Sequence, residues 1–176
     1  MSTYIPGIIL LVFLVSCTPS NSDPTEGQVD GYAPVYAFAT DVTNISLEAS
    51  RTTGSAGKIY AFGNFLLQND LYQGIHIIDN SNRSQPTKTA FLKVPFSTEI
   101  AIKGKYLYTN NLNDLVVFDV SNMSRPQLIK RVENVFPLVE QTHPPFLSTQ
   151  FECVDPAKGM VVRWERKRIT NPKCRR

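Results

Sequence analysis

Apolar residues recur at every second position in short runs through the middle of the chain, and each run stops at a turn. Ile59 and Ala61 alternate with other residues before Gly63-Asn64, and Phe65 and Leu67 resume the alternation after it. Ile100 and Ile102 do the same before Gly104-Lys105, as do Tyr106 and Tyr108 after it. A period of two is that of a half-buried strand. A Gly-led pair between two such runs suits a tight hairpin turn, because glycine takes positive φ without steric cost. Residues 75–78 and 115–118 are nearly all apolar, as in a strand covered on both faces. Asp79 and Asp119 end these runs, where a carboxylate accepts bonds from the next backbone N–H groups. Pro86 and Pro126 cannot donate to a ladder and belong in loops. Further strands are expected after them, at residues 87–94 and Gln127–Val132.

The pattern repeats. Ile75-His76-Ile77-Ile78-Asp79 and Leu115-Val116-Val117-Phe118-Asp119 align at an offset of 40, as do Pro86 and Pro126. Gly63 and Gly104 align at 41, so one residue slips in the turn around 70–74 or 111–114. A self-similarity of about 40–45 residues is the spacing of one four-stranded propeller blade. Ile77 and Val117 are expected as equivalent core residues of the two units.

Gly63-Asn64-Phe65-Leu66 with Ile75–Asp79 and Ser81-Asn82, and Gly104-Lys105-Tyr106-Leu107 with Leu115–Asp119 and Ser121-Asn122, resemble the LVIVD repeat of bacterial propeller-like proteins. The chain as a whole resembles a Bacteroidota lipoprotein of that repeat family. The resemblance implies an all-β fold: two consecutive four-stranded, blade-like antiparallel units with capping flanks. Two units do not make a closed propeller, which needs at least about four blades. The units are expected at about 58–97 and 98–136, within a β-repeat domain spanning 33–176. The motif fixes a strand layout and says little of activity.

The N-terminus carries a second signal. Residues 6–15 are apolar and uncharged, too short to span a bilayer comfortably. They lead into Leu14-Val15-Ser16-Cys17, which resembles the lipobox of bacterial lipoproteins. That resemblance implies a signal peptide at 1–16, cleavage before Cys17 and acylation of Cys17. Several acyl chains on one residue would hold the protein stably at a membrane. Met1-Ser2-Thr3-Tyr4 lacks Lys and Arg, so a short uncleaved anchor is the other reading. Residues 17–32, rich in Pro, Ser, Asn, Asp and Gly, are expected as a disordered tether. The expected address is the outer membrane, on either its periplasmic or its outer face.

At the other end, the repeat stops. Residues 148–154 and 160–166 read as a hairpin about the turn Asp155-Pro156-Ala157-Lys158-Gly159, within a hairpin and tail at 148–176. Once Cys17 is set aside, Cys153 and Cys174 remain as an even pair. In an oxidising envelope such a pair is expected as a disulfide rather than two thiols.

Candidates for chemistry are few. His76 lies in an apolar strand and His143 before two prolines; both read as structural. No phosphate loop, nucleophile elbow or His-Glu-x-x-His motif is present. Asp79 and Asp119 occupy equivalent repeat positions, and a catalytic carboxylate pair needs unlike environments. Their surroundings also lack the carboxylate series of a calcium loop. Asn44, Asn82 and Asn122 open Asn-x-Ser sequons that read as turns. Neither cofactor nor metal is expected. The net charge of +3 includes a basic patch at Arg163, Arg166, Lys167, Arg168, Lys173, Arg175 and Arg176. In an exported chain without a nucleic-acid module, it reads as a solvated face rather than a nucleic-acid site. The expected function is a lipid-anchored, non-catalytic binding or scaffold module with a protein or glycan partner. The alternative is an accessory subunit or enzyme acting on a polysaccharide or peptide.

Overall fold

The computed structural model describes residues 27–176. The expected signal segment at residues 1–16, Cys17 and the first part of the expected tether lie outside the described residues. The described residues begin with β1 (Gln28–Ala37), a one-turn helix α1 (Ala39–Thr43) and β2 (Ser46–Ala49). The first repeat supplies β3 (Ala56–Phe62), β4 (Phe65–Asp70), β5 (Gly74–Asp79) and β6 (Thr87–Lys93). The second supplies β7 (Ile100–Lys103), β8 (Tyr106–Asn111), β9 (Asp114–Asp119) and β10 (Gln127–Val132). The chain closes with β11 (Gln150–Phe151), β12 (Met160–Thr170) and β13 (Cys174–Arg175).

These strands form three open sheets, ordered β2-β6-β5-β4-β3, β10-β9-β8-β7 and β12-β1-β11-β13. The fold is all-β with blade-like antiparallel units, as the repeat implies. The turn glycines take the expected conformation, with φ of 57° at Gly63 and 59° at Gly104. The one-residue slip falls between strands: Leu71-Tyr72-Gln73 links β4 to β5, where only Leu112-Asn113 links β8 to β9. Each outer strand carries one extra residue at the same place, Thr89 on β6 and Ile129 on β10.

The two repeat sheets stack head to tail. Leu67, Ile75, Ile77, Leu92 and Val94 of the first meet Ile100, Leu107, Val116, Phe118, Val120 and Met123 of the second in one buried cluster. Alternation along a strand puts Ile75 and Ile77 on one face. Val116 and Phe118 are the repeat equivalents of His76 and Ile78, on the opposite face. One face of the first sheet therefore packs against the other face of the second. This corrects the expected equivalence of Ile77 and Val117. Both are buried, but Val117 lies beside Tyr108 on the outward face of the second sheet and is not part of the shared cluster.

Three further expectations are revised. The first sheet has a fifth strand, β2, drawn from the upstream flank and paired to β6. The expected tether runs too far, since residues 28–32 are strand and β1 pairs with β12 from Gln28↔Thr170 to Ala37↔Met160. Gly31, a linker signal in the sequence, is there for close approach: a Cβ on it would lie 2.3 Å from Ile169 Cδ1 and 2.6 Å from the Gln150 carbonyl. The C-terminal hairpin does not form. The turn is present as a 3-10 turn at Pro156–Lys158, with the Asp155 carboxylate accepting from Ala157 N–H. Its flanking strands are separated by β1, which pairs β12 on one side and β11 on the other. A register of ten residue pairs with β1 outweighs the short pairing a local hairpin would give β11.

Candidate functional site: an apolar cleft at the open end of the stack

The stack of repeats is finished differently at its two ends. The outer face of the first sheet is strapped by residues 51–55. Gly54 and Ser55 N–H groups donate to the Asp70 carboxylate at 3.0 and 2.6 Å. Lys88 Nζ donates to Thr53 Oγ1 at 2.5 Å, and the Arg51 guanidinium lies 3.7 Å over the Phe91 ring. Beneath the strap His76 is fully buried, its Nε2 3.2 Å from Asp70 Oδ2 and its ring tilted against Phe91. Burial is the main cause that pulls the His76 pKa down, against the attraction of Asp70. Burial also opposes ionisation of Asp70, but the Gly54 and Ser55 N–H groups and His76 outweigh it and hold that carboxyl below its ordinary range.

The link between the sheets is held by buried amides. Asn110 Oδ1 accepts from the N–H groups of Thr98 and Glu99, and its Nδ2 donates to Phe96 O at 3.0 Å. Asn111 Nδ2 donates to Pro95 O and to Val42 O at 2.6 and 2.8 Å. Ser97 Oγ joins Asn69 Nδ2 to Thr109 Oγ1. These bonds satisfy backbone groups that would be costly to bury unpaired. They order the link from β6 into β7, and β7 lies beside β3.

Where β3 and β7 meet, a cleft of about 290 Å³ opens on the outward face of the second sheet. Tyr108 and Leu115 form its floor, Phe136 and Leu138 one wall, and Tyr60 the other. Lys58 pairs with Glu99 across the rim, and this hydrogen bond raises the lysine pKa. Asn113 positions the wall by accepting from Val139 N–H and donating to Val139 O at 2.9 and 2.7 Å. Leu138 is 56% exposed and Val135 41%. The cleft thus offers aromatic and aliphatic area beside one ion pair. That chemistry suits recognition of an apolar or aromatic group next to a charge. Its only advance signal was the apolar run Val135-Phe136-Pro137-Leu138-Val139, which has no strand period.

The residues singled out in the sequence lie elsewhere. Asp79 and Asp119 accept from Ser81 and Ser121 N–H at 2.8 and 2.9 Å, one matched turn in each repeat. Asn82 and Asn122 accept from Ser84 and Ser124 N–H in the next turn. The bond from Ser121, with help from Lys105, lowers the Asp119 pKa to about 2. Pro86 and Pro126 precede β6 and β10. Cys153 and Cys174 are joined by a disulfide that staples β13 to the body of the molecule. His143 is a loop residue with Nδ1 3.3 Å from Pro144 O. Among the described residues no group of three or more His, Cys, Asp or Glu is placed to hold a metal. In the basic patch Arg163, Arg166 and Lys167 pair with Glu165, Asp30 and Glu152.

The family model for the LVIVD repeat matches residues 53–90 and 97–134. The chain carries two LVIVD repeats. The first match takes in part of the strap as well as β3 to β5, and the second begins at Ser97, in the link that Asn110 organises. Phe136 and Leu138 lie beyond the second LVIVD repeat, so the cleft combines repeat and non-repeat residues. No curated protein and no solved structure matches the chain.

Proposed function

We propose that this protein is a lipid-anchored, non-catalytic binding module of the cell envelope, held at the outer membrane through Cys17 and contacting a protein or glycan partner at the cleft. One observation carries the binding half of the reading. A polar strap seals the first end of the stack, while the second end keeps an apolar cleft and a collar of exposed Tyr60, Val135 and Leu138. Terminal faces of a repeat stack need polar caps for solubility, so an apolar end calls for a partner. The Leu14-Val15-Ser16-Cys17 sequence supports the anchored half.

The test has two arms. The full chain should incorporate labelled fatty acid in bacterial cells and Cys17→Ser should not; equal labelling would remove the anchor. The intact chain should capture a partner from envelope extracts, identified by mass spectrometry, that Leu138→Asp fails to capture. If both capture the same set, or if polysaccharide or peptide is turned over, the binding reading fails.

A further inference from the structure

The outer strands of the two repeats are equivalent, yet only one is covered. β2 pairs antiparallel to β6, with Leu47 opposite Leu92, Glu48 opposite Phe91 and Ala49 opposite Ala90. Glu48 also reaches Lys93 at 4.0 Å. β10 carries the same bulge at the same repeat position, and among the described residues no strand pairs with its outer edge. The difference has a cause in the chain. The segment upstream of the first repeat is long enough to double back as β2. The corresponding segment of the second repeat, residues 94–99, is held in the link between the sheets by Asn110 and Asn111.

β10 is left as an edge with free backbone groups, a template for a further strand. It exposes apolar side chains beside Lys130: Leu128 is 47% exposed, Ile129 51% and Val132 38%. Its charges are not equivalent. Arg131 is engaged by Asp114 and Asn111 at 2.5 and 2.7 Å, whereas Lys130 is exposed and has no ion-pair partner among the described residues.

We propose that the outer edge of β10 takes up an extended peptide segment of a partner protein, added antiparallel as a fifth strand, with an apolar residue opposite Val132 and a carboxylate opposite Lys130. The pairing of β2 with β6, moved forward by the repeat offset of 40, gives the register: Leu47 maps opposite Val132 and Ala49 opposite Lys130. Main-chain bonds supply affinity in strand addition, and side chains opposite the edge supply selectivity. A second copy pairing β10 to β10 about residues 130–131 would set Lys130 against Arg131 of its mate, and like charges directly opposite are destabilising. This site is separate from the cleft and does not depend on it.

The probe is a labelled peptide with the sequence of residues 44–50 carrying Ala49→Glu, with Ala49→Lys as control, titrated into the full chain by fluorescence anisotropy. The Glu peptide should bind about fivefold more tightly than the Lys peptide. Lys130→Glu, an exposed change that leaves the fold intact, should reverse that order, and Val132→Asp should weaken both. Amide shift changes on binding should fall on residues 128–133. Equal binding of both peptides to wild type and Lys130→Glu would overturn the proposal. So would shift changes confined to residues 87–93, which would mean exchange with β2. Sedimentation showing a dimer that Lys130→Glu or Val132→Asp dissolves would assign the edge to a second copy instead.

Discussion

Val116 and Val117 are adjacent on β9, chemically identical, and on opposite faces, so replacing each by alanine isolates how the repeats stack. Val116 is fully buried in the cluster shared by both repeat sheets, while Val117 is 8% exposed on the outward face. Either change removes two methyl groups, worth up to about 1.6 kcal/mol in lost transfer at about 0.8 kcal/mol each when fully buried, and less at Val117 with its 8% exposure. At Val116 the closed surroundings leave a cavity of roughly 40 Å³, which adds about 1 kcal/mol at about 24 cal/mol per Å³. At Val117 the gap opens toward Tyr108 and solvent and adds little. Val116→Ala is therefore expected to cost about 2.5 kcal/mol and Val117→Ala about 1–1.5 kcal/mol. With a urea dependence of about 2 kcal/mol per M, the midpoints should fall by about 1.2 M and 0.6 M at unchanged slope. Losses matching within about 0.5 kcal/mol would refute head-to-tail stacking, because both faces of β9 would then be equally enclosed.

The buried His76–Asp70 pair sets a pH dependence. His76 has its pKa lowered from 6.5 in the folded state, so the unfolded chain binds the extra proton first as pH falls. Stability should hold above about pH 6.5 and decline as pH drops from there toward the folded pKa, a decline that His76→Gln should remove from urea midpoints taken across pH 5–8. Asp70, whose folded pKa is depressed, adds a later loss at more acidic pH, as it is protonated. The disulfide closes a loop with a sequence separation of 21, and its removal as Cys153→Ser/Cys174→Ser should cost about 3 kcal/mol by urea denaturation, if chain entropy governs. An unchanged midpoint would place β13 outside the cooperative unit.

What could be read from the sequence was whatever is local. Strand period, turn glycines and the Asp-Ser turns are each decided within a few residues, and Asp79 and Asp119 behave as their surroundings predict. The single-residue slip was placed in the right turn because a two-residue and a three-residue connection differ by that much. What escaped was long-range. Nothing near Gly31 says that its missing side chain makes room for Ile169, so it read as linker. Nothing in residues 148–166 says that β1 will come between two segments that read as a hairpin. The cleft was hidden for the same reason, because Tyr60, Tyr108 and Leu138 converge from separate elements. Alternation assigned Ile77 and Val117 to one repeat face, but which faces are pressed together is a property of the stack and not of either unit.

β1 precedes both repeats and its partner β12 follows them, with Gln28 opposite Thr170. The two repeat sheets are built from neighbouring strands and can assemble as soon as their own residues are available. The sheet around β1 cannot, because β1 waits for partners that lie beyond both repeats. Such non-local pairing is slow to form, since loop closure must come before the contacts that reward it. The pairing of β1 with β12 therefore comes after both repeats, and a cut before Met160 leaves β1 without its long partner and Gly31 without Ile169 against it.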